Sequence, residues 1–443
     1  MSSPARVLIL GAGFGGLSAA KALRRRRDVE VTIVDHTNHH LFQPLLYQVA
    51  TAGLNPSEIA SPVRAILRRQ KNLVSLMGQV TAVDYASRTV ELDHGIQRLE
   101  YDFLILALGG KTSYFGNDRW ASVAPGLKSL RDALEIRQRV LLSFERAERA
   151  DDPELRQRLM TIVAVGGGPT GVELAGAMAE LRYHVLRWDF DRIKPEQARV
   201  ILIEGGDRLL GMFPERLSEY ASRRLEKLGV EIFLNERVTD ISSGVVTTSS
   251  QTIHAENIFW AAGVAGHDLA PQLGEKRDRA GRLHVEADLR LPGHDRVYCI
   301  GDMARFEHPG THDGKPLPGL APVAMQQGTH AARNIIHQLE GRPTRSFHYV
   351  DKGSMATIGR SAAVAMAPFN LRMTGFPAWL AWLFVHLMYI VDHQNRILVL
   401  LRWAWAYFTW KWGVRLITWE FTPAQTPAEA DQSPADPETG RRL

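Results

Sequence analysis

Two glycine-rich loops with the same spacing carry the clearest chemical signal in this sequence. The loops at residues 11–16 and 166–171 each follow a short apolar run and precede a stretch of helical character. In such a loop the first glycine permits a tight turn, the second lets the backbone approach a pyrophosphate, and the third lets the helix pack closely on the strand. An acidic residue ends the next predicted strand in each half, Asp35 and Glu204, where a carboxylate can bind ribose hydroxyls. The sequence therefore predicts sites for two dinucleotides.

A later predicted strand ends in a glycine and an acid, Gly301 and Asp302. We expect Asp302 to accept hydrogen bonds from the ribityl hydroxyls of a flavin. A helix N-cap is the alternative role, because aspartate is a favoured cap. The apolar runs at residues 101–110 and 257–263 end in glycine and are expected to return the chain to a cleft between its two halves. Strand and helix patterns alternate, which predicts an α/β fold.

Length and composition limit the number of domains, the chemistry and the cellular compartment that we expect. A chain of 443 residues can form two or three domains. The single cysteine, Cys299, excludes a disulfide relay. The basic run at residues 24–27 is expected to complement a helix dipole, so no nucleic-acid partner is predicted. No metal site is predicted either. The first strand begins near Val7, which predicts that no signal peptide is removed and that the protein stays in the cytoplasm.

Tryptophan is concentrated near the C-terminus, where seven of the ten tryptophans lie between residues 379 and 419. Two apolar segments there, 378–391 and 397–416, are short or interrupted by charge. Because tryptophan prefers the headgroup region and basic residues suit anionic lipid, we expect two interfacial segments that lie on a membrane without crossing it. A tryptophan-rich core or a dimer interface is the alternative. The basic residues expected to face lipid are Arg396, Arg402, Lys411 and Arg415.

This order of motifs resembles that of the two-dinucleotide-binding-domain flavoproteins and, among them, the type II NADH dehydrogenases, which are non-pumping NADH:quinone oxidoreductases. The resemblance covers residues 5–420, and its most specific segments are 42–50, 320–328, 351–360 and the C-terminal aromatic stretch. It implies that NADH passes a hydride to FAD and that the reduced flavin passes two electrons to a membrane quinone. Two other classes stay open: a soluble NADH-dependent flavin reductase that feeds a protein electron carrier, and an NADH-sensing protein similar to apoptosis-inducing factor.

The resemblance also implies the domain organisation. The fold class is two Rossmann-like dinucleotide-binding domains followed by a membrane-associating helical segment. The expected boundaries are an FAD-binding domain at 1–115 and 280–345, an NADH-binding domain at 116–279, a membrane-association region at 346–421 and a disordered tail at 422–443. The expected location is the cytoplasmic face of the cell membrane, as a peripheral protein with the lipid surface as a partner. Whether the chain forms a homodimer stays open.

Site residues are carried over from the family motifs. The residues expected to bind FAD are Gly11, Gly13, Phe14, Gly15, Gly16, Asp35, Pro44, Val80, Gly301, Asp302 and Ala321. The residues expected to bind NADH are Gly166, Gly168, Gly171, Glu173, Glu204 and Gly263. Those expected to bind quinone are Gln326 and Gln327, and those expected to be catalytic are Glu173 and Gln326.

Several of these residues have an alternative role. Glu173 could be a carboxylate that favours a helix dipole, and the two glutamines, Gln326 and Gln327, could be exposed helix residues. Glu204 should repel the 2′-phosphate of NADPH, although Arg208 lies nearby. The segment 320–328 departs from some family members at Pro322 and Met325, where they have polar residues, so the route of protons to the quinone is not assigned.

Overall fold

The chain forms two α/β units and a C-terminal unit in a computed structural model, which describes residues 3–308, 316–391, 393–409 and 414–418. The first unit contains β1 (Ala5–Leu10), α1 (Phe14–Ala22), β2 (Val29–Asp35), β3 (His39–Leu41), α2 (Leu46–Ala50), α3 (Pro56–Ile59), β4 (Ala60–Pro62), α4 (Val63–Leu67), β5 (Leu73–Met77), β6 (Val80–Asp84), β7 (Thr89–Leu92), β8 (Gln97–Glu100) and β9 (Phe103–Leu106).

The main sheet of the first unit is parallel around β1. Ile9 lies opposite Ile33 of β2 on one side and Ile105 of β9 on the other, and β5 extends the sheet beyond β2. Residues 7–10 are buried throughout, as expected for a central parallel strand that is covered on both faces. β6, β7 and β8 form a separate three-stranded antiparallel sheet.

The second unit repeats this plan. Its elements are β10 (Gly110–Thr112), α5 (Leu130–Arg149), α6 (Pro153–Leu159), β11 (Thr161–Val165), α7 (Pro169–Glu180), β12 (Arg199–Ile203), α8 (Glu215–Lys227), β13 (Val230–Phe233), β14 (Val238–Ser242), β15 (Val245–Thr248), β16 (Thr252–His254), β17 (Asn257–Trp260) and β18 (Val264–Gly266). A four-stranded parallel sheet has the order β13-β12-β11-β17, and β14 to β16 form a second three-stranded sheet. β10 pairs with β18, so the segments that enter and leave the unit lie side by side.

The chain then returns to the first unit and ends in helices. The remaining elements are β19 (Leu283–His284), β20 (Arg290–Leu291), β21 (His294–Cys299), β22 (Ala304–Arg305), α9 (Ala321–Leu339), β23 (Ser354–Thr357), β24 (Ala363–Ala367), β25 (Leu371–Thr374), α10 (Gly375–Tyr389) and α11 (His393–Thr409). β21 joins the first sheet beside β9, and α9 packs on α1. The predicted fold class is confirmed, while the domain boundaries stay predictions.

The C-terminal helices divide the tryptophans between core and surface. Trp382 is only 2% exposed, which matches the alternative of a tryptophan-rich core, and its ring packs near that of Trp403. Trp405 is 62% exposed. Among the described residues, no helix combines the length and apolar character needed to cross a membrane. The predicted tail and three of the tryptophans, Trp410, Trp412 and Trp419, lie outside the described residues.

Candidate functional site

The two glycine-rich loops have matching backbone geometry. Gly11 and Gly166, the first glycine of each loop, have φ angles of +104° and +113°, in the region that favours glycine. A Cβ atom on the third glycine, Gly16 or Gly171, would collide with the carbonyl oxygen of the first glycine in the same loop. Both loops therefore require glycine for the reasons that the sequence motif suggests.

The helix after each loop begins without a side-chain cap. Gly13 and Gly168 are the N-cap residues of α1 and α7, and neither helix has a side-chain hydrogen bond at its cap. A Cβ atom on either glycine would meet open space. Because the first N–H groups of a helix have no partner within it, both helix starts can receive a pyrophosphate. The residues present fit a dinucleotide at each loop.

The acidic residues at the strand ends hold the loops in the same way. Oδ2 of Asp35 accepts a hydrogen bond from the amide of Ala12 at 2.7 Å. Oε2 of Glu204 accepts one from the amide of Gly167 at 2.5 Å, and its Oε1 accepts one from Gly206 at 2.7 Å. Since a carboxylate has about four acceptor sites, each side chain keeps capacity for ribose hydroxyls.

Phe14 and Gly15 connect the first loop to its surroundings. A Cβ atom on Gly15 would crowd Ile300 and the carbonyl oxygen of Ala324 in α9, so glycine allows α1 and α9 to approach closely. The ring of Phe14 packs edge-on against the ring of Phe42. Both residues lie beside the proposed pyrophosphate position, and their contact with FAD stays a prediction.

Asp302 lies just after β21 and forms an ion pair between the two α/β units. Its Oδ2 is 3.0 Å from Nζ of Lys128, which precedes α5. The short helical turn Gly301–Met303 has Ile300 at its N-cap position, so the structure does not place Asp302 as a cap. Sequence reasoning missed Lys128, because 174 positions separate the two partners and no local pattern links them.

The other predicted cofactor residues lie in turns or at the ends of helices and strands. Pro44 lies in the helical turn Gln43–Leu45, and the Gln43 side chain donates to the carbonyl of Lys128 at 3.2 Å. Val80 is 7% exposed and begins β6, and Ala321 begins α9. Gly263 follows β17, where a Cβ atom would crowd the ring of Phe115. Their cofactor contacts also stay predictions.

Glu173 is a partly buried carboxyl group in α7. Burial raises the pKa of Glu173 to about 8, and the amide of Thr357, which donates to its Oε1 at 3.3 Å, opposes that rise. The first turn of α7 contains no acidic residue, so the helix-dipole alternative for Glu173 has no support in the geometry. A carboxyl group that titrates near neutral pH can hold a proton and release it, as a general acid requires.

The two glutamines of α9 make different contacts. Gln327 is 1% exposed, and its Oε1 accepts from the amide of Gly301 at 2.7 Å. The exposed-helix alternative is therefore wrong for Gln327. The Gln326 amide binds the backbone of Val350, donating at 2.9 Å and accepting at 3.0 Å. Gln326 also lines an open cavity of about 450 Å³, together with Pro322, Met325, Arg333, Lys352 and Tyr389. Quinone binding by either glutamine stays a prediction.

Two basic residues that were expected to face lipid are instead paired within the protein. Arg402 of α11 forms an ion pair with Glu58, whose side chain is only 5% exposed. Arg415 pairs with Asp189. A buried carboxylate such as Glu58 requires a cation nearby, which accounts for the pairing of Arg402. Lipid contact of Arg402 and Arg415 stays a prediction. Lys411 lies outside the described residues.

Known proteins resemble the whole of this arrangement. Residues 5–328 match the family model of pyridine nucleotide-disulphide oxidoreductases, and residues 352–410 match that of the NDH2 C-terminal domain. The type II NADH:quinone oxidoreductase Ndh of Mycobacterium tuberculosis is 44% identical over 439 residues, covering 96% of this chain and 92% of the relative. The chain belongs to the type II NADH:quinone oxidoreductases. The predicted family is confirmed.

More distant proteins also match, within and outside this family. The Staphylococcus aureus enzyme is 30% identical over 370 residues, which is 82% of this chain and 89% of the relative. The structure of Plasmodium falciparum NDH2 in complex with NADH has a TM-score of 0.83 at 20% identity and covers 91% of this chain and 98% of its own. The sulfide:quinone oxidoreductase of Aquifex aeolicus has a TM-score of 0.68 at 17% identity, covering 93% of this chain and 92% of its own. These two structures establish the shared fold alone.

Proposed function

We propose that this protein oxidises NADH and reduces a membrane quinone through bound FAD, without pumping protons. The observation that carries this proposal is the pair of matched dinucleotide loops, with a partly buried carboxyl group, Glu173, in the helix after the second loop. FAD supplies the two-electron carrier between NADH and the quinone. The overall reaction consumes one NADH, one proton and one quinone and yields NAD⁺ and the quinol. Membership in the family supports the same conclusion.

Each loop binds one dinucleotide in this proposal. The open N–H groups at the start of α1 receive the FAD pyrophosphate, and Asp35 binds the adenosine ribose. Asp302 binds the ribityl chain, and its ion pair with Lys128 fixes the second unit against the first at this point. The start of α7 receives the NADH pyrophosphate, and Glu204 selects NADH by repelling a 2′-phosphate.

The quinone half of the reaction needs a proton, and Glu173 is the group that supplies it. With a pKa of about 8, this carboxyl group is mostly protonated at pH 7 and can donate where negative charge develops on the quinone. The cavity beside Gln326, with Tyr389 of α10 in its wall, provides the approach for the quinone ring.

The exposed surface of the C-terminal helices supports attachment of the protein to a lipid surface. Large apolar side chains on α10 and α11 are exposed, among them Phe384 at 64%, Leu401 at 60% and Phe408 at 81%. Such a patch is typical of a membrane-contacting face. Because Arg402 and Arg415 are paired internally, we expect binding to depend more on apolar burial than on lipid charge. The protein is peripheral and lies on the cytoplasmic face of the membrane.

Full-length protein purified in detergent tests the function. We expect a yellow protein that releases FAD on denaturation and oxidises NADH with a quinone analogue much faster than NADPH. Recovery of FMN, or of no flavin from folded protein, would contradict the cofactor assignment. Efficient reduction of a small protein electron carrier together with slow quinone reduction would favour the soluble flavin reductase instead.

A further inference from the structure

Three segments that the sequence resemblance singled out meet in one chain of hydrogen bonds. In α11, Nε1 of Trp403 donates to Oε1 of Gln48 at 2.8 Å. Nε2 of Gln48 donates to the hydroxyl of Tyr47 at 3.0 Å. The Tyr47 hydroxyl is 3.0 Å from Oγ1 of Thr357, whose amide donates to Glu173. The chain thus joins the aromatic stretch, the segment 42–50 and the segment 351–360.

The direction of this chain follows from the chemistry of its members. An indole N–H can only donate, so Trp403 fixes the carbonyl oxygen of Gln48 toward itself and the Gln48 amide nitrogen toward Tyr47. The Tyr47 oxygen accepts from Gln48, and the same hydroxyl group shares a hydrogen bond with Oγ1 of Thr357, in which either oxygen can donate. Each member is therefore hydrogen-bonded to the next, from the C-terminal helix to the partly buried carboxyl group of Glu173.

Two members of this hydrogen-bond chain are buried. Tyr47 is 7% exposed and Thr357 is 3% exposed, so water cannot readily replace a lost partner. Burial also raises the pKa of Tyr47 far above its usual range, with Glu173 and Glu180 as the charged neighbours that add to the rise. The phenol stays neutral and serves to orient Thr357, while the proton for the quinone comes from elsewhere.

The second carboxyl group near Tyr47, Glu180, has separate partners. It is 5% exposed, and it accepts a hydrogen bond from the amide of Arg360. Burial raises the pKa of Glu180 to about 7, and the charges of Arg360 and Arg224 oppose the rise. Because its partners lie on α8 and after β23, Glu180 can keep its contacts when the link from Trp403 is removed.

Trp403, the first member of the hydrogen-bond chain, is held in place because α11 contacts the first unit at two further points. The Asn395 side chain donates to the carbonyl of Ser57 at 3.1 Å, and Arg402, next to Trp403, pairs with the buried Glu58. Trp403 is therefore held by contacts that do not involve Gln48.

We propose that Trp403, Gln48 and Tyr47 are positioning residues that hold Thr357 so that its amide keeps Glu173 oriented for the quinone half of the reaction. The inference rests on the proposed function, because it assigns Glu173 to proton delivery. The β23–β24 pairing keeps Thr357 opposite Ala363, so loss of any link should shift Thr357 without releasing it, and this shift should weaken the amide hydrogen bond to Glu173. This hydrogen bond stabilises the ionised carboxylate, so weakening it should raise the pKa of Glu173 further.

The test separates the two half-reactions of the full-length, FAD-loaded protein in anaerobic stopped-flow experiments between pH 6 and 9. The variants are Trp403→Phe, Tyr47→Phe and Thr357→Val, each of which removes one polar group. Tyr47→Phe and Thr357→Val keep similar bulk, whereas Trp403→Phe also removes one ring. We expect reoxidation of the flavin by a short-tailed quinone to slow about 5- to 10-fold, because a general acid loses its orientation. The pH profile of that step should move upward by about half a unit or more. Flavin reduction by NADH should be nearly unchanged.

Two further variants separate positioning from simple disruption. Thr357→Ser keeps the hydroxyl group and should restore both the rate and the pH profile. Trp188→Phe changes a tryptophan that is 82% exposed and should leave both half-reactions as in the wild type. Flavin content and the melting temperature establish that each variant is folded.

The possible failures are distinguishable. Wild-type protein that is reduced by NADH but not reoxidised by quinone contradicts the proposed function itself. Active wild-type protein with variants whose quinone step and pH profile are unchanged overturns the positioning role. Equal slowing of both half-reactions, or no recovery in Thr357→Ser, also overturns it, because a general structural defect would then explain the loss.

Discussion

Replacing Glu204 with glutamine tests how the protein selects between NADH and NADPH. The carboxylate at the end of β12 holds two backbone amides, those of Gly167 and Gly206, at 2.5 and 2.7 Å. Glutamine keeps the size of the side chain and one carbonyl acceptor but removes the negative charge. The change should weaken binding of the ribose hydroxyls of NADH and also relieve repulsion of the 2′-phosphate of NADPH.

The expected magnitude follows from both effects. A carboxylate and one phosphate charge about 5 Å apart repel by about 3 kcal/mol at an effective dielectric constant of about 20. Glu204 is partly exposed, and solvent screening reduces this to about 1–2 kcal/mol. Loss of a charged hydrogen bond to NADH adds about 1 kcal/mol in the same direction. We therefore expect the ratio of kcat/KM for NADH to that for NADPH to fall by about 30- to 150-fold, the equivalent of about 2–3 kcal/mol.

The assay is steady-state oxidation of each nucleotide with one quinone analogue at fixed ionic strength. Asp35→Asn is the matched control, because Asp35 holds the first loop through Ala12 as Glu204 holds the second through Gly167. That control should lower FAD retention and leave the nucleotide ratio unchanged. An unchanged ratio in Glu204→Gln, or an equal change in both variants, would refute the selection mechanism.

Four other predictions follow from the site and the C-terminal helices. Glu173→Gln should slow flavin reoxidation by quinone about 100-fold in stopped-flow assays, because it removes a general acid, and should slow reduction by NADH much less. Burial raises the pKa of Glu173 from 4.5 to about 8, so folding takes up protons between these two pH values. The free energy of unfolding should therefore be highest below pH 4.5 and should fall as the pH rises toward 8. Glu173→Gln should reduce this fall in denaturant titrations at pH 5 and 8. Arg402→Ala should lower the free energy of unfolding by about 3 kcal/mol, because Glu58 is left buried and unpaired. Leu401→Glu should weaken liposome binding. The control Ile96→Glu, at a site 85% exposed in the first unit, should not weaken it.

The parts of the site that were predictable from sequence are those set by local backbone chemistry. The first glycine of each loop needs a positive φ, and the third must let its helix approach the strand, so Gly11, Gly16, Gly166 and Gly171 follow from spacing alone. The alternation of strand and helix likewise predicts the α/β class. The presence of apolar C-terminal segments was also predictable from their composition. Composition did not show that only part of their surface is exposed.

The parts that sequence could not predict are contacts between distant segments. Lys128 meets Asp302 across 174 positions, and Arg402 meets Glu58 because α11 packs on α3. Sequence patterns assign Arg402 to a polar helix face but do not show which carboxylate the packing brings beside it. Tyr47 and Thr357 lie within recognised motifs, yet their hydrogen bond becomes evident only when α2 and β23 are adjacent.

The most direct test of the central claim is an anaerobic two-step titration of the bound flavin in the full-length protein. One equivalent of NADH should bleach the flavin absorbance, and one equivalent of a quinone should then restore it with formation of one equivalent of quinol. This result would establish the order NADH, flavin, quinone. Flavin that is bleached by NADH but stays reduced in the presence of excess quinone would contradict the account.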